Sequence, residues 1–230
     1  MNELLTGSVF FGAVLSLLTY EAGLLIKKKC KGALFNPLLI AMVLTIVILL
    51  VFRIDFDTYN NGAKYISYLL TPTTVCLAIP LYEQFSLLKK NVRAVMIGIL
   101  SGVITSLTFI LLLSVLFGFS HVEYVTFLPK SITTAIGMGV SEILGGYVSI
   151  TVGSICVTGL FGNIIAETLC RVLHITDPVA KGVATGTASH AIGTAKAMEM
   201  GELEGAISGL SIVVAGILTV LAAPVFALFY

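Results

Sequence analysis

The sequence predicts an all-α polytopic membrane protein of seven to eight transmembrane segments, and three observations carry that prediction. Of its 230 residues, 57% are hydrophobic and only 11% are charged. The apolar residues run in stretches of roughly 20, the length of a helix that crosses a bilayer. Three stretches of small polar residues and helix breakers interrupt them, which a lipid-facing helix does not tolerate, because unsatisfied polar groups in hydrocarbon cost several kcal/mol each. We expect one transmembrane domain over 1–230.

The apolar stretches predict seven spans. They cover residues 4–25, 36–52, 66–82, 94–118, 149–171, 178–196 and 205–228. The first stretch lacks a basic start and a small-residue cleavage site, so we expect it to stay in the chain. Residues 124–146 leave two interpretations open. The segment contains Pro129 and many small residues, and it is either a re-entrant pair of half-helices or an eighth span.

Basic residues predict the orientation. Lys27 to Lys31 place the first connector in the cytoplasm, and Lys89, Lys90 and Arg93 place the connector after the third span there too. The amino terminus is then outside. With 124–146 re-entrant, the carboxyl terminus is inside. The net charge of +1 gives no sign of nucleic-acid binding.

A weak internal repeat predicts two inverted halves, approximately 1–118 and 119–230. A shift of 114 residues aligns Thr71 with Thr185 and Gly102 with Gly216. In each half, a broken Thr-rich segment precedes a long apolar span containing glycine. By the charge assignment the halves have opposite orientations, which is the plan of many secondary transporters. A substrate would bind where the broken segments meet.

The broken segments supply hydroxyl groups, glycines and a cation for that site. Hydroxyls serve as donors or acceptors, glycines permit close backbone approach, and the first turn of a half-helix suits an anion. The predicted substrate-binding residues are Thr71, Thr73, Thr74, Lys130, Ser131, Thr133, Thr134, Thr185, Gly186, Thr187, Ser189, His190, Gly193 and Thr194. The competing interpretations are proline kinks packed against neighbours in the first segment and small-residue helix packing in the third.

Two further residues have open roles. His190 is the candidate for proton coupling, because histidine titrates near physiological pH, and it is equally suited to bond a neighbouring carbonyl. For Lys196 we expect snorkelling of the ammonium to the membrane interface.

Enzymatic, metal and cofactor motifs are absent from the sequence. The four cysteines form no CxxC pair and have no histidine at ligand spacing. Ser189 and His190 are adjacent on a predicted helix, so they point in different directions and cannot act as nucleophile and base. We therefore expect no enzyme, no metal and no cofactor.

Three motifs resemble the LrgB/CidB family of bacterial membrane proteins. They are Asn36-Pro-Leu-Leu-Ile-Ala, Leu128-Pro-Lys-Ser-Ile-Thr-Thr-Ala-Ile-Gly, and Ala180-Lys-Gly-Val-Ala-Thr-Gly-Thr-Ala-Ser-His-Ala-Ile-Gly-Thr-Ala-Lys-Ala. The likeness covers practically the whole chain and leans towards the CidB-like branch. It implies a multi-pass protein of the bacterial cytoplasmic membrane.

The resemblance implies two functions. One is a holin-like or antiholin-like regulator of murein hydrolase export, autolysis and programmed cell death, acting with a small LrgA/CidA-type membrane protein. The other is a carrier of small carboxylates such as pyruvate, with plastid relatives that exchange glycolate and glycerate. The two broken segments favour the carrier, a secondary transporter of a small organic anion with or without proton coupling, and the regulator is the alternative. We expect a homodimer, from the general frequency of two-fold assemblies.

Overall fold

The computed structural model describes residues 8–30, 35–69, 72, 76, 79, 82 and 85–230. Its contacts divide the chain into two compact units, Met1–Cys76 and Leu77–Tyr230. All regular secondary structure in the described ranges is helical. The predicted span 66–82 lies largely outside them. The single domain with halves 1–118 and 119–230 stays a prediction.

The helices of the described residues are labelled in chain order. They are α1 Phe11–Lys29, α2 Pro37–Val51, α3 Phe56–Ser67, α4 Phe85–Phe117, α5 His121–Phe127, α6 Thr134–Ile143, α7 Val148–Val172, α8 Pro178–Met200 and α9 Glu202–Ala227.

The first unit packs α1 against α2 and α3. Hydroxyl pairs tie the helices together, since Ser16 Oγ lies 2.7 Å from the Tyr59 hydroxyl and Thr19 Oγ1 lies 3.0 Å from Thr45 Oγ1. The start of α2 follows from its sequence, because Asn36 Oδ1 accepts from the Leu38 N–H at 2.8 Å and proline occupies the first helical position. These pairs satisfy polar groups inside an apolar unit.

Three helices of the second unit are long and apolar enough to cross a membrane. They comprise Asn91–Phe117 of α4, and all of α7 and α9. The predicted spans 94–118, 149–171 and 205–228 coincide with them to within three residues. Among the described residues, α2 is apolar but shorter, and the total of seven to eight spans stays a prediction.

Residues 121–143 form a helical hairpin, the arrangement of the re-entrant interpretation. Helix α5 starts beside the end of α9, where Tyr124 donates to the Phe226 carbonyl at 2.8 Å. The chain turns at 128–133, and α6 runs back towards the start of α7, where the Tyr147 N–H donates to Thr126 Oγ1 at 2.8 Å. Both ends of the segment therefore lie at the same end of the unit.

Helix α8 is broken at Ser189 and His190 into two arms, 178–188 and 191–200, that form a second hairpin. The prediction of a crossing span over 178–196 is therefore wrong. Ser189 (φ −134°, ψ 16°) and His190 (φ 43°, ψ −138°) leave the helical conformation. A Cβ atom added at Gly193 would lie 2.7 Å from the Thr185 carbonyl oxygen, although eight residues of continuous helix would separate the two by about 12 Å. The chain therefore reverses at 189–190.

Contacts of α9 with both arms of α8 confirm the reversal. A Cβ at Gly182, in the first arm, would meet the Glu204 carbonyl at 2.7 Å, and a Cβ at Gly205 would meet Met198 Cγ, in the second arm, at 2.6 Å. Two residues at opposite ends of α8 thus lie beside the same turn of α9. Hydropathy alone does not distinguish the two structures, because the small residues of this segment fit a tight turn as well as a closely packed crossing helix.

The two hairpins enter the second unit from opposite ends. Helix α4 runs in the same direction as α9, because the Tyr230 hydroxyl after α9 donates to the Phe119 carbonyl at 2.6 Å and lies 3.3 Å from the Ser114 carbonyl oxygen, both near the end of α4. Helix α7, which lies between them in sequence and packs on α8 and α6, runs in the opposite direction. The tip at 128–133 comes from the end where α4 stops, and the tip at 189–190 comes from the end where α4 starts. The arrangement is span, hairpin, span, hairpin, span.

Candidate functional site

The tip between α5 and α6 places a lysine inside the second unit. Pro129 is buried, and Lys130 and Ser131 follow it. Lys130 Nζ donates to Ser131 Oγ at 2.9 Å, and Ser131 Oγ lies 3.2 Å from Ser106 Oγ on α4. Within the described ranges, the ion pairs link Arg171, Lys181 and Lys196 to glutamates, and none includes Lys130. An ammonium group can bind a carboxylate through charge-assisted hydrogen bonds.

The tip of α8 fixes His190 against α7. The residue is 3% exposed, and Nε2 lies 2.9 Å from the Ile155 carbonyl oxygen. A carbonyl only accepts, so Nε2 carries the hydrogen. Gly159 makes room for the ring, because a Cβ there would lie 2.6 Å from His190 Cε1. This is the carbonyl-bonded arrangement that the sequence analysis leaves open beside proton coupling, and proton coupling at His190 stays a prediction.

Thr187 presents an unpaired hydroxyl between the two tips. The residue is 7% exposed, and its Oγ1 has no hydrogen-bond partner in the described part of the chain. Its methyl packs on α4, since a Cβ at Gly102 would lie 2.7 Å from Thr187 Cγ2. A cavity of about 10 Å³ separates Thr187 from Ser106, Ser131 and Thr219. That volume is close to what one water molecule needs.

A larger cavity of about 1110 Å³ shares Ser106, Ser131 and Thr187 with the small one. Helices α4, α7 and α8 form its walls, and most of the lining is apolar. The polar residues of the two tips that line it are Lys130, Ser131, Thr185, Thr187 and Ser189. At the other end it reaches Asn91 and Asp177, near the start of α4 and of α8. His190 is not among its lining residues. The cavity therefore joins one end of the unit to the two hairpin tips.

Other predicted site residues serve the packing of α8. Thr185 Oγ1 donates to the Lys181 carbonyl at 2.8 Å, and Thr194 Oγ1 lies 2.6 Å from Ser208 Oγ. A Cβ at Gly186 would lie 2.8 Å from Ser211 Cβ, and Gly193 packs between Thr185 and Ser189. Small-residue packing, the competing interpretation, describes these positions well, although Thr185 also lines the cavity.

The remaining predicted residues divide into two groups. Thr133 precedes α6 as its N-cap residue without a side-chain capping bond, and Thr134 opens that helix; both are half-buried. Thr71, Thr73 and Thr74 lie outside the described residues, so the predicted meeting of their segment with the Thr185 segment stays a prediction.

Lys196 does not snorkel freely. Its Nζ lies 3.0 Å from Glu167 Oε2 on α7 and 3.2 Å from Glu199 Oε2, and 18% of its side chain is exposed. On the first arm, Lys181 lies 4.0 Å from Glu204 on α9. Ion pairs therefore fasten both arms of the hairpin to neighbouring helices.

Sequence reasoning missed Ser106 and Thr219, which line the small cavity together with Ser131 and Thr187. Both are hydroxyl residues within long apolar spans, where polar side chains usually face the protein interior. That signal was available, but it does not say which interior surface they face. In the described residues, no group of three His, Cys, Asp or Glu side chains is placed to hold a metal ion.

The second unit contains three helices of membrane-crossing length and two hairpins that enter from opposite ends. Many of its large apolar side chains are exposed. These features define an all-helical integral membrane protein. The chain matches the LrgB-like family over residues 16–229. It belongs to the LrgB family.

Curated relatives agree with that assignment. Proteins named "Antiholin-like protein LrgB" from Bacillus mycoides (strain KBAB4), Bacillus cereus (strain B4264) and Bacillus anthracis (strain CDC 684 / NRRL 3495) are each 38% identical over 222 residues, covering 96% of this chain and 96% of theirs. No solved structure matches the chain. The expected CidB-like branch stays a prediction.

Proposed function

We propose that the protein is an antiholin-like regulator of murein hydrolase export and autolysis in the bacterial cytoplasmic membrane. The observation that supports this is the shared name of relatives 38% identical over 96% of the chain. The comparisons favour this function, which the sequence analysis ranks second, over the carrier. An LrgA/CidA-type small membrane protein is the proposed partner, by resemblance.

A test of this function measures autolysis. A bacterial host from which its own LrgB-type gene has been removed is complemented with this chain, and detergent-induced lysis and secreted murein hydrolase activity are followed. We expect slower lysis and less secreted hydrolase with the chain than without it. Equal lysis curves, with the chain shown to be in the membrane, would contradict the proposal.

The second candidate is secondary transport of a small organic anion such as pyruvate or glycolate. One observation favours it: a lysine with no carboxylate partner in the described ranges lies at the tip of a hairpin and lines a cavity of about 1110 Å³. A lesion-forming protein has little need for such a group, whereas a carrier uses broken helices to bind substrate near the midplane. The proposed site comprises Lys130, Ser131, Thr187 and Ser189, with Thr71, Thr73 and Thr74, which lie outside the described residues, as further candidates.

Uptake into proteoliposomes separates the two candidates. Purified protein is reconstituted alone, and entry of labelled pyruvate and glycolate is compared with empty liposomes. Saturable uptake supports a carrier, and its absence for every small carboxylate tested removes that candidate. Mass measurement in mild detergent tests the proposed homodimer, against which a strictly monomeric species would count.

A further inference from the structure

We propose that Lys130, rather than His190, carries the proton that moves with the substrate carboxylate. The inference rests on the carrier candidate above and deepens it, because it assigns the coupling group and predicts the electrical character of transport.

His190 is poorly placed for coupling. Its Nε2–H is committed to the Ile155 carbonyl at 2.9 Å, its ring is packed against Gly159, and it is not among the residues that line the cavity. A proton carried there would not contact a substrate held at the cavity. The geometry assigns His190 to holding the tip of α8 on α7.

Lys130 meets the two requirements that His190 does not, namely contact with the cavity and free hydrogen-bond donors. It lines the cavity, and its hydrogen bond to Ser131 uses one of three ammonium donors. None of the ion pairs in the described ranges neutralises it. The unpaired hydroxyl of Thr187 borders the same cavity and supplies a second donor. Together these groups can hold one carboxylate by charge-assisted hydrogen bonds.

Binding of the anion and binding of the proton are thermodynamically linked at this residue. A lone ammonium in a membrane interior is costly, whereas an ammonium paired with a carboxylate is much less so. Substrate therefore favours the protonated amine, and the protonated amine favours substrate to the same extent. A monocarboxylate and one proton then cross together, and the translocated pair carries no net charge.

Among the described residues, His190 on α8 is the titratable group that interacts electrostatically with Lys130. The side chains that the other walls present near the two tips include the uncharged Ser106 on α4, Thr158 on α7 and Thr219 on α9, and Asp177 lies at the far end of the large cavity. A variant of His190 is therefore the necessary control for any effect of pH.

Two variants of Lys130 test the assignment in proteoliposomes. Uptake of labelled pyruvate is measured at acidic and neutral external pH, with the membrane potential clamped at zero or made inside-negative. Wild-type uptake should rise with external acidity and ignore the potential. Lys130→Gln should lose the pH dependence and bind pyruvate about tenfold or more weakly, the effect of one lost charged hydrogen bond.

Lys130→Arg keeps the charge but cannot release its proton. It should retain pyruvate binding, measured by thermal shift, while its uptake no longer depends on pH. His190→Gln and Lys196→Gln should both keep the wild-type pH dependence. Retention of that dependence in Lys130→Gln or Lys130→Arg, or its loss in His190→Gln, would overturn the inference while leaving the carrier candidate intact. A wild-type protein with no uptake would overturn the carrier candidate and this inference together.

Discussion

At the scale of single residues, the break in α8 concentrates in one unusual backbone conformation. His190 has φ 43° and ψ −138°, a combination that side chains with a Cβ rarely adopt, and such residues cost of order 1–3 kcal/mol each. The surrounding contacts hold it there, through the Ile155 carbonyl and the close fit on Gly159. Strain at this position is compensated by the ring, so the two effects can be separated by substitution.

We expect His190→Gly to be more stable than His190→Ala, by about 1 kcal/mol. Both lose the ring, but only glycine relieves the positive φ. In an ordinary helix the order is reversed, because glycine costs about 1 kcal/mol relative to alanine. Thermal unfolding in detergent measures the difference. Ala195→Gly, at an exposed position in the second arm, is the control and should be destabilising. Greater stability of His190→Ala would indicate an unbroken helix.

Close packing of α8 on α9 gives a second prediction at this scale. A Cβ at Gly186 would lie 2.8 Å from Ser211 Cβ and closer still to the Ser208 carbonyl oxygen. Gly186→Ala should therefore destabilise the protein by roughly 1–3 kcal/mol, the usual effect of overpacking. Gly153→Ala on α7 is the matched control, since nothing lies within 4 Å of its added Cβ. A thermal midpoint for Gly186→Ala equal to that of Gly153→Ala would contradict this account of the packing.

At the scale of whole elements, the sequence predicts the long apolar helices. It predicts the first hairpin only as one of two alternatives, and it does not predict the second. α4, α7 and α9 each contain a long, predominantly apolar stretch, so length and composition suffice. Pro129 indicates a break in the segment 124–146. The turn at Ser189 and His190 has no proline, and its small residues equally suit a helix that crosses and packs tightly. Which of these occurs depends on contacts with α9 that a single sequence does not display.

Cysteine labelling tests the second hairpin directly. With the native cysteines replaced, Thr176→Cys before α8 and Glu199→Cys near its end should react with a membrane-impermeant thiol reagent from the same side. Both positions are exposed, and the reversal puts them at one end of the unit. His121→Cys, at the opposite end, serves as the control and should react only from the other side. Labelling of Thr176→Cys and Glu199→Cys from opposite sides would restore the crossing span.

At the scale of the whole molecule, the hairpin in α8 alters the expected position of the carboxyl terminus. The inside location follows from counting 178–196 as a crossing, and the reversal removes that step. By the positive-inside rule, Lys89, Lys90 and Arg93 predict that the start of α4 is its cytoplasmic end. Tyr230 lies at the opposite end, where its hydroxyl donates to the Phe119 carbonyl at 2.6 Å. The capping box of Ser120 and Glu123 lies at that end as well, and the Ser120 N–H and hydroxyl hold the pKa of Glu123 below its usual range.

We therefore predict that the carboxyl terminus faces the outside of the cell. A carboxyl-terminal alkaline phosphatase fusion, which is active only after export, should be active, and a green fluorescent protein fusion at the same residue should be dark. Fusions truncated at Val92, at the start of the membrane-length part of α4, are the control and should give the reverse pattern. An inactive phosphatase with a fluorescent fusion at Tyr230 would mean an even number of crossings from α4 onwards. That result would contradict the arrangement of three end-to-end helices with opposed hairpins, and with it the access of the Lys130 cavity from the cytoplasmic end.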